Sequence, residues 1–176
     1  MLKTFAEMLK KIGSQANVLS ELEERAVELG VVIPVLRQLG WDTDLVTEVF
    51  PQQTIRMVNN PGGYGQVDYA LQIDRRLKVL LEIKRWSVEL ARAHQEQLNR
   101  YCTAASASAH APELAVLTNG RQWRLYRTHW SRIDPPPIGE ISEFLRFDII
   151  NNDPLEVETH FRKYLERKQF LGRRVW

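Results

Sequence analysis

Apolar residues recur at helical spacing over residues 20–39, where Leu22, Ala26, Leu29, Ile33 and Leu36 fall on one stripe. The pattern predicts a long amphipathic helix with Ser20 as its N-cap, Glu23 completing a capping box, a kink before Pro34 and a stop at Gly40. The preceding "LKTFAEMLKKIG" predicts a shorter helix of the same kind. "LVTEVF", residues 45–50, is short and β-branched, is bounded by "WDTD" and Pro51, and predicts a strand, whereas "NNPGGYG", residues 59–65, carries the chemistry of a loop. Two runs rich in Val, Leu and Ile follow, at 66–73 and 77–84, separated by "DRR". They predict a β-hairpin with a loop of about three residues.

Residues 87–105 are alanine-rich and free of Gly and Pro, with Leu90, Ala93, Gln97 and Tyr101 about one turn apart, which predicts a helix. "ELAVLTNG" and "QWRLYRT" predict two strands joined at Asn119-Gly120, and "DPPPIG" at 134–139 predicts a bend. "DPLEVETHFRKYLERKQF" predicts a final helix with Asp153 as N-cap and Pro154 at its first position. The order helix, three strands, helix, two strands, helix predicts an α/β fold: a mixed central sheet of about five strands with helices on both faces.

Composition narrows the class. The chain of 176 residues, 44% hydrophobic and 26% charged, suits one soluble domain over 1–176, and a formal charge of +2 permits a nucleic-acid partner without requiring one. Cys102 is the single cysteine, which excludes an internal disulfide and a thiolate zinc cluster; with no signal-peptide pattern, a reducing cytoplasmic setting is expected. The longest uncharged apolar run, "LGVVIPVL", is far shorter than the roughly 20 residues that span a bilayer, so no membrane partner is expected. Four scattered histidines lack metal-ligand spacing, and neither a Walker-type glycine loop nor a G-x-S-x-G elbow occurs.

Strand parity then gathers three charges. Lys78, Leu80, Glu82 and Lys84 share one face, opposed by Leu77, Val79, Leu81 and Ile83; Asp68, Ala70 and Gln72 share a face, opposed by Val67, Tyr69, Leu71 and Ile73. Pairing Ile73 with Leu77 across the turn places Asp68 opposite Glu82. Like charges in that position repel, a conflict that a divalent cation between them removes. Lys84, two residues beyond Glu82, is placed to polarise a water or meet charge developing on a phosphate. The plain alternative is a frayed strand start at Asp68 and a solvated Glu82–Lys84 pair; the apolar outer face and amphipathic flanking helices argue against so exposed a sheet.

Asp68 followed by Glu82-Ile83-Lys84 resembles the PD-(D/E)xK nuclease superfamily, with Val67 where the motif's proline stands. "VVIPVLRQLGWD", "QVDYAL", "LEIKRW", "QLNRY" and "LAVLTNGRQWRLY", in that order, sharpen the resemblance to the nuclease domain at the N-terminus of the DNA-translocating subunit of type I restriction enzymes and its stand-alone relatives. It covers residues 20–127, about 60% of the chain. The resemblance implies a restriction endonuclease-like three-layer fold and a magnesium-dependent endodeoxyribonuclease, with manganese as a substitute. It makes Asp68 and Glu82 metal ligands, the Ile83 carbonyl a further ligand and Lys84 the catalytic lysine. Gln97 and Tyr101 match its glutamine and tyrosine, a pair that supports the site or touches DNA. An acidic residue of the first helix often completes such sites; counting back from "VIPVL" favours Glu24, with Glu21 and Glu28 as rivals and Glu48 as another candidate. The motor of the large family members has no counterpart here, which leaves a small independent nuclease or one subunit of a larger restriction-type assembly or homo-oligomer.

Grip on DNA requires cations elsewhere. Residues 161–176 hold six Lys or Arg against one Glu, interleaved with aromatics, so Arg173 and Arg174 join Arg75 and Arg76 at the hairpin turn and Arg85 after the motif as candidate phosphate contacts. The competing reading is a catalytically inactive DNA-binding or assembly subunit with the same fold.

Overall fold

A computed structural model describes residues 4–57, 63–107, 111–130 and 139–171. Helix α1 (Phe5–Ser14) begins in a capping box between Thr4 and Glu7 and buries Phe5, Leu9 and Ile12. The long helix expected over 20–39 is broken instead. Helix α2 (Ala16–Glu21) contains Ser20, whose hydroxyl donates to the Asn17 carbonyl and caps nothing. After a break at Leu22 and Glu23, helix α3 (Glu24–Val27) runs through a π-turn (Glu28–Val32) into α4 (Ile33–Gln38). The irregularity expected before Pro34 takes the form of that π-turn, a geometry that recurs at functional sites. Gly40, at φ +83°, follows the helix end as expected.

Six strands form one sheet in chain order: β1 (Val49–Arg56), β2 (Tyr64–Ile73), β3 (Arg76–Ile83), β4 (Leu114–Thr118), β5 (Gln122–Trp130) and β6 (Gly139–Asp148). All neighbours are antiparallel except β3 and β4, which are parallel and joined across helix α5 (Arg92–Ala107). The sheet is therefore mixed, with six strands rather than five. Strand β6 escapes the hydrophobic pattern because Glu140, Glu143, Arg146 and Asp148 interrupt it. The first strand starts at Val49, later than expected, and runs through Pro51; an edge strand tolerates a residue without an N–H. Helix α5 begins at Arg92 rather than 87. Helix α6 (Pro154–Tyr164) starts as expected, with Asp153 accepting from the Leu155 and Glu156 amides, and stops before a short 3₁₀ turn at Arg167–Phe170. The bend expected at 134–139 lies, up to its last residue, outside the described residues.

The hairpin reaches the expected register by an unexpected route. Its turn is the two residues Asp74 and Arg75, both at positive φ (51° and 61°), with Ile73 facing Arg76. A bulge between Leu71 and Gln72 then absorbs one extra residue, Lys78, and restores Leu71↔Val79, Ala70↔Leu80 and Tyr69↔Leu81. Leu77, before the bulge, accordingly packs beneath α5 instead of sharing a face with Val79.

Two cores result. Tyr69, Leu71, Val79, Leu81 and Ile83 pack with the N-terminal helices and α6, where Phe161 meets Phe5, Trp123 and Phe147 with ring centroids 4.8–5.5 Å apart. Ala70, Leu80, Leu117 and Tyr126 pack beneath α5 with Leu98 and Cys102. Helices thus cover both faces. Among the described residues no helix is long and apolar enough to cross a membrane.

Candidate active site

The β2–β3 ladder is paired as far as Tyr69↔Leu81, and Asp68 and Glu82 follow directly beyond that last pair. Strand β2 is distorted here. Val67, expected on the face of Tyr69, packs with Ala70 and Leu80 under α5. The pairs Pro51↔Tyr69 and Gln53↔Val67 place Gln52, at φ 49°, across from Asp68. A non-glycine residue in that conformation is strained, and such strain clusters at functional sites. The Asp68 carboxylate reaches β3 instead, where Oδ2 accepts the Ile83 amide at 2.6 Å.

Glu82 is 3% exposed. Its Oε1 accepts from Lys84 Nζ at 2.6 Å, while Oε2 is buried with no hydrogen-bond partner among the described residues. A buried carboxylate oxygen without a donor costs free energy and calls for an explanation. Burial pushes the Glu82 carboxyl up from 4.5 to about 7, helped by the charge of Asp68 and opposed by Lys84. Burial likewise raises Asp68 from 3.8 to about 6; the Ile83 amide opposes this, Glu24 adds to it, Lys84 opposes and Glu28 adds a little more. At Lys84 burial disfavours the ammonium, but the hydrogen bond to Glu82 and the charges of Glu82, Glu24 and Asp68 outweigh it and raise its pKa. The Lys84 amide donates to the Thr118 carbonyl at 2.8 Å, which ties the end of the motif to β4.

The rival acidic residues separate. Glu24, half-buried in the first turn of α3, is close enough to act on Asp68, Glu82 and Lys84 together. Glu28 is engaged by the Tyr69 hydroxyl and by Arg25. Glu21 is exposed in α2, beyond the break. Glu48 caps the Asp42 amide and binds Arg167 at 2.8 Å, a role in tying the C-terminal turn to the fold. Among the described residues no group of three or more His, Cys, Asp or Glu side chains is gathered closely enough to hold a metal ion. The donor set nonetheless suits a hard cation: Glu82 Oε2 is an orphaned oxygen on a carboxylate that feels the charge of Asp68, and magnesium commonly takes one or two carboxylates and completes its shell with water.

The remaining candidates are scattered. Gln97 donates to the Tyr101 hydroxyl at 2.9 Å, and Tyr101 is 8% exposed, packed in the core beneath α5 and against Gly65 at the start of β2. Arg85 bridges to Glu23, the residue before Glu24. Arg75 and Arg76 sit at the hairpin end of the sheet, about 20 Å along the strands from Glu82. A cleft of about 400 Å³ lined by Arg56, Gln72, Arg75 and Ala104 lies at that end and not at the carboxylates. Arg173 and Arg174 lie outside the described residues.

Two neighbours of the site carried no expectation. His94, in the first turn of α5, and Arg124 on β5, within the segment read as scaffold, are near enough to each other and to Lys84 that burial, then Lys84 and Arg124, lower the His94 pKa. Only the parity of β5, carried across three strands, marks Arg124 in advance. Comparison of the chain with protein-family models, curated proteins and solved structures finds no match.

Proposed function

We propose that this chain is a metal-dependent nuclease hydrolysing DNA phosphodiester bonds, with a restriction endonuclease-like fold and a site like that of the type I restriction nuclease domain. The observation that carries the reading is the buried Glu82 carboxylate, acted on by the charge of Asp68, with Lys84 bound to one oxygen and the other oxygen orphaned. The antiparallel β1–β2–β3 meander followed by a crossover helix supports the same fold.

Asp68 and Glu82 would hold magnesium or manganese, with Glu24 closing the site from α3 and the Ile83 carbonyl available beside it. The bound ion supplies Lewis acidity, acidifying a coordinated water and offsetting phosphate charge. Burial raises both carboxyls, and the charge of Asp68 raises Glu82 further, so the two resist full ionisation together unless a positive charge offsets them. Lys84 keeps its proton on Nζ; from Glu82 it can orient a water and donate to a phosphoryl oxygen as negative charge grows there.

The test is cleavage of linear, supercoiled, single-stranded and modified DNA, and of RNA, with magnesium or manganese against chelator. Cleavage that needs the ion and disappears in Asp68→Ala, Glu82→Ala and Lys84→Ala, each still folded by circular dichroism, is the expected result. Cleavage retained near the wild-type rate in Asp68→Ala or Lys84→Ala would overturn the mechanism. Binding of DNA without cleavage of any substrate would favour an inactive binding or assembly subunit.

A further inference from the structure

The rung that carries Glu82 continues across the sheet. Glu82 pairs with Leu117 on β4, Leu117 with Arg124 on β5, and Arg124 with Arg146 on β6. One line of residues therefore runs from the Glu82 carboxylate, with Asp68 close enough to act on it, to two opposed guanidiniums. Like charges gathered this closely repel, which invites a ligand of opposite charge at each end.

The cationic end is neutralised only in part. Arg146 is paired with Glu143 at 2.8 Å, and the other Glu143 oxygen accepts the Tyr126 hydroxyl at 3.3 Å. Arg124 reaches the Tyr126 hydroxyl, itself buried, and its Nε is buried with no hydrogen-bond partner among the described residues. His94 adds a donor. Its Nδ1 accepts the Ala91 amide at 3.1 Å, as an N3 side chain does when it reaches back to the residue before a helix. That bond leaves the proton of the neutral ring on Nε2. Two strand spacings separate Arg124 from Glu82, about 10 Å between backbones, comparable with phosphates one or two nucleotides apart on a strand.

We propose that Arg124, assisted by the Nε2–H of His94, is a phosphate seat for the nucleic-acid backbone on the far side of Lys84 from the carboxylates, holding a phosphate next to the one being cut. This inference rests on the nuclease reading of Asp68, Glu82 and Lys84 and names where that site grips its substrate. The half-buried Arg124 guanidinium, in no ion pair among the described residues, and its position on the line from Glu82 carry it.

The test is binding of a duplex oligonucleotide in chelator, so that nothing is cut, by fluorescence anisotropy across a salt series. Arg124→Gln should weaken binding about tenfold and reduce the slope of log affinity against log salt by about 1, the signature of one lost phosphate contact. Arg124→Lys keeps the charge and should retain the slope while binding a few-fold more weakly, through loss of the planar fork. An unchanged slope in folded Arg124→Gln overturns the seat while leaving the carboxylate site standing. Should Arg124→Gln fail to fold, unchanged affinity in Arg124→Lys overturns it. Absence of binding by the wild-type chain overturns this inference and removes the nucleic-acid reading with it.

Discussion

Strand β3 carries two buried lysine–carboxylate bonds of equal length. Lys78 meets Glu113 at 2.6 Å, and Lys84 meets Glu82 at 2.6 Å. Their burial is nearly mirrored: Lys78 and Glu113 side chains are 4% and 16% exposed, Lys84 and Glu82 17% and 3%. What differs is the company each keeps. The Lys78 pair is one cation against one anion where the bulge turns Lys78 inward, a self-contained solution to burying charge. The Lys84 pair shares its space with Asp68 and Glu24, so one ammonium faces an excess of carboxylates and one oxygen of Glu82 has no donor. Neither distance nor depth separates the two pairs. The charge balance does.

The strongest way to break that comparison is to delete each lysine. Lys84→Ala should lower cleavage by about a thousandfold, the scale of losing one donor to a developing charge, with little loss of thermal stability. Lys78→Met should do the reverse, costing about 3 kcal/mol of stability by stranding Glu113 while the folded fraction cleaves normally. Chemical denaturation of Lys78→Met and of a Lys78→Met/Glu113→Leu double variant checks it, since the double variant should recover most of the loss. Equal effects of the two lysines on cleavage would show that the pairs are not different in kind.

The pH dependence sharpens the contrast. Asp68 and Glu82 have carboxyl pKa values raised to about 6 and about 7 in the folded chain, so the native state holds protons that the unfolded state has released. Their stabilisation is complete below the ordinary carboxyl range and is lost as pH rises through about 6 and then about 7. In chelator, melting should therefore fall between about pH 4 and pH 7, by an amount of order 2 kcal/mol per carboxyl. Asp68→Asn/Glu82→Gln should flatten that part of the curve, and Lys78→Met should leave its shape alone. The smallest expected effect belongs to the second acidic layer: Tyr69→Phe removes the hydroxyl that engages Glu28 and should cost about 1 kcal/mol. A shift of the magnesium dependence in the same variant would show that Glu28, once released, competes with Glu24.

Much of this organisation could be read along the chain, for identifiable reasons. Alternation in β2 and β3 is a local property, and it brings Asp68 and Glu82 to the same end of the hairpin even though the turn has two residues rather than three. The bulge at Lys78 compensates within the hairpin, because the apolar residues Tyr69, Leu71, Val79 and Leu81 bury only in the restored register. Asp153 and Pro154 likewise specify the start of α6 through their own hydrogen bonding and ring geometry. The long N-terminal helix was misread because its stripe continues through Leu22, although the backbone breaks there; the capping preference of Ser20 does not prevail over the packing of Leu19 inside α2.

The sequence by itself determined most of the alternation in β2 and β3, where the last helix begins, and that two carboxylates and a lysine crowd one short hairpin. Only the tertiary structure decided which carboxylate of the first helix faces that hairpin, because a π-turn and a break set the phase of Glu24 and Glu28. It alone decided that Lys78 is a closed pair and Lys84 an open one, and that Arg124 and His94 join the latter, because those relations cross strands and a helix far apart in the chain. Periodicity is written in neighbouring residues. Charge balance is a property of everything that burial brings together.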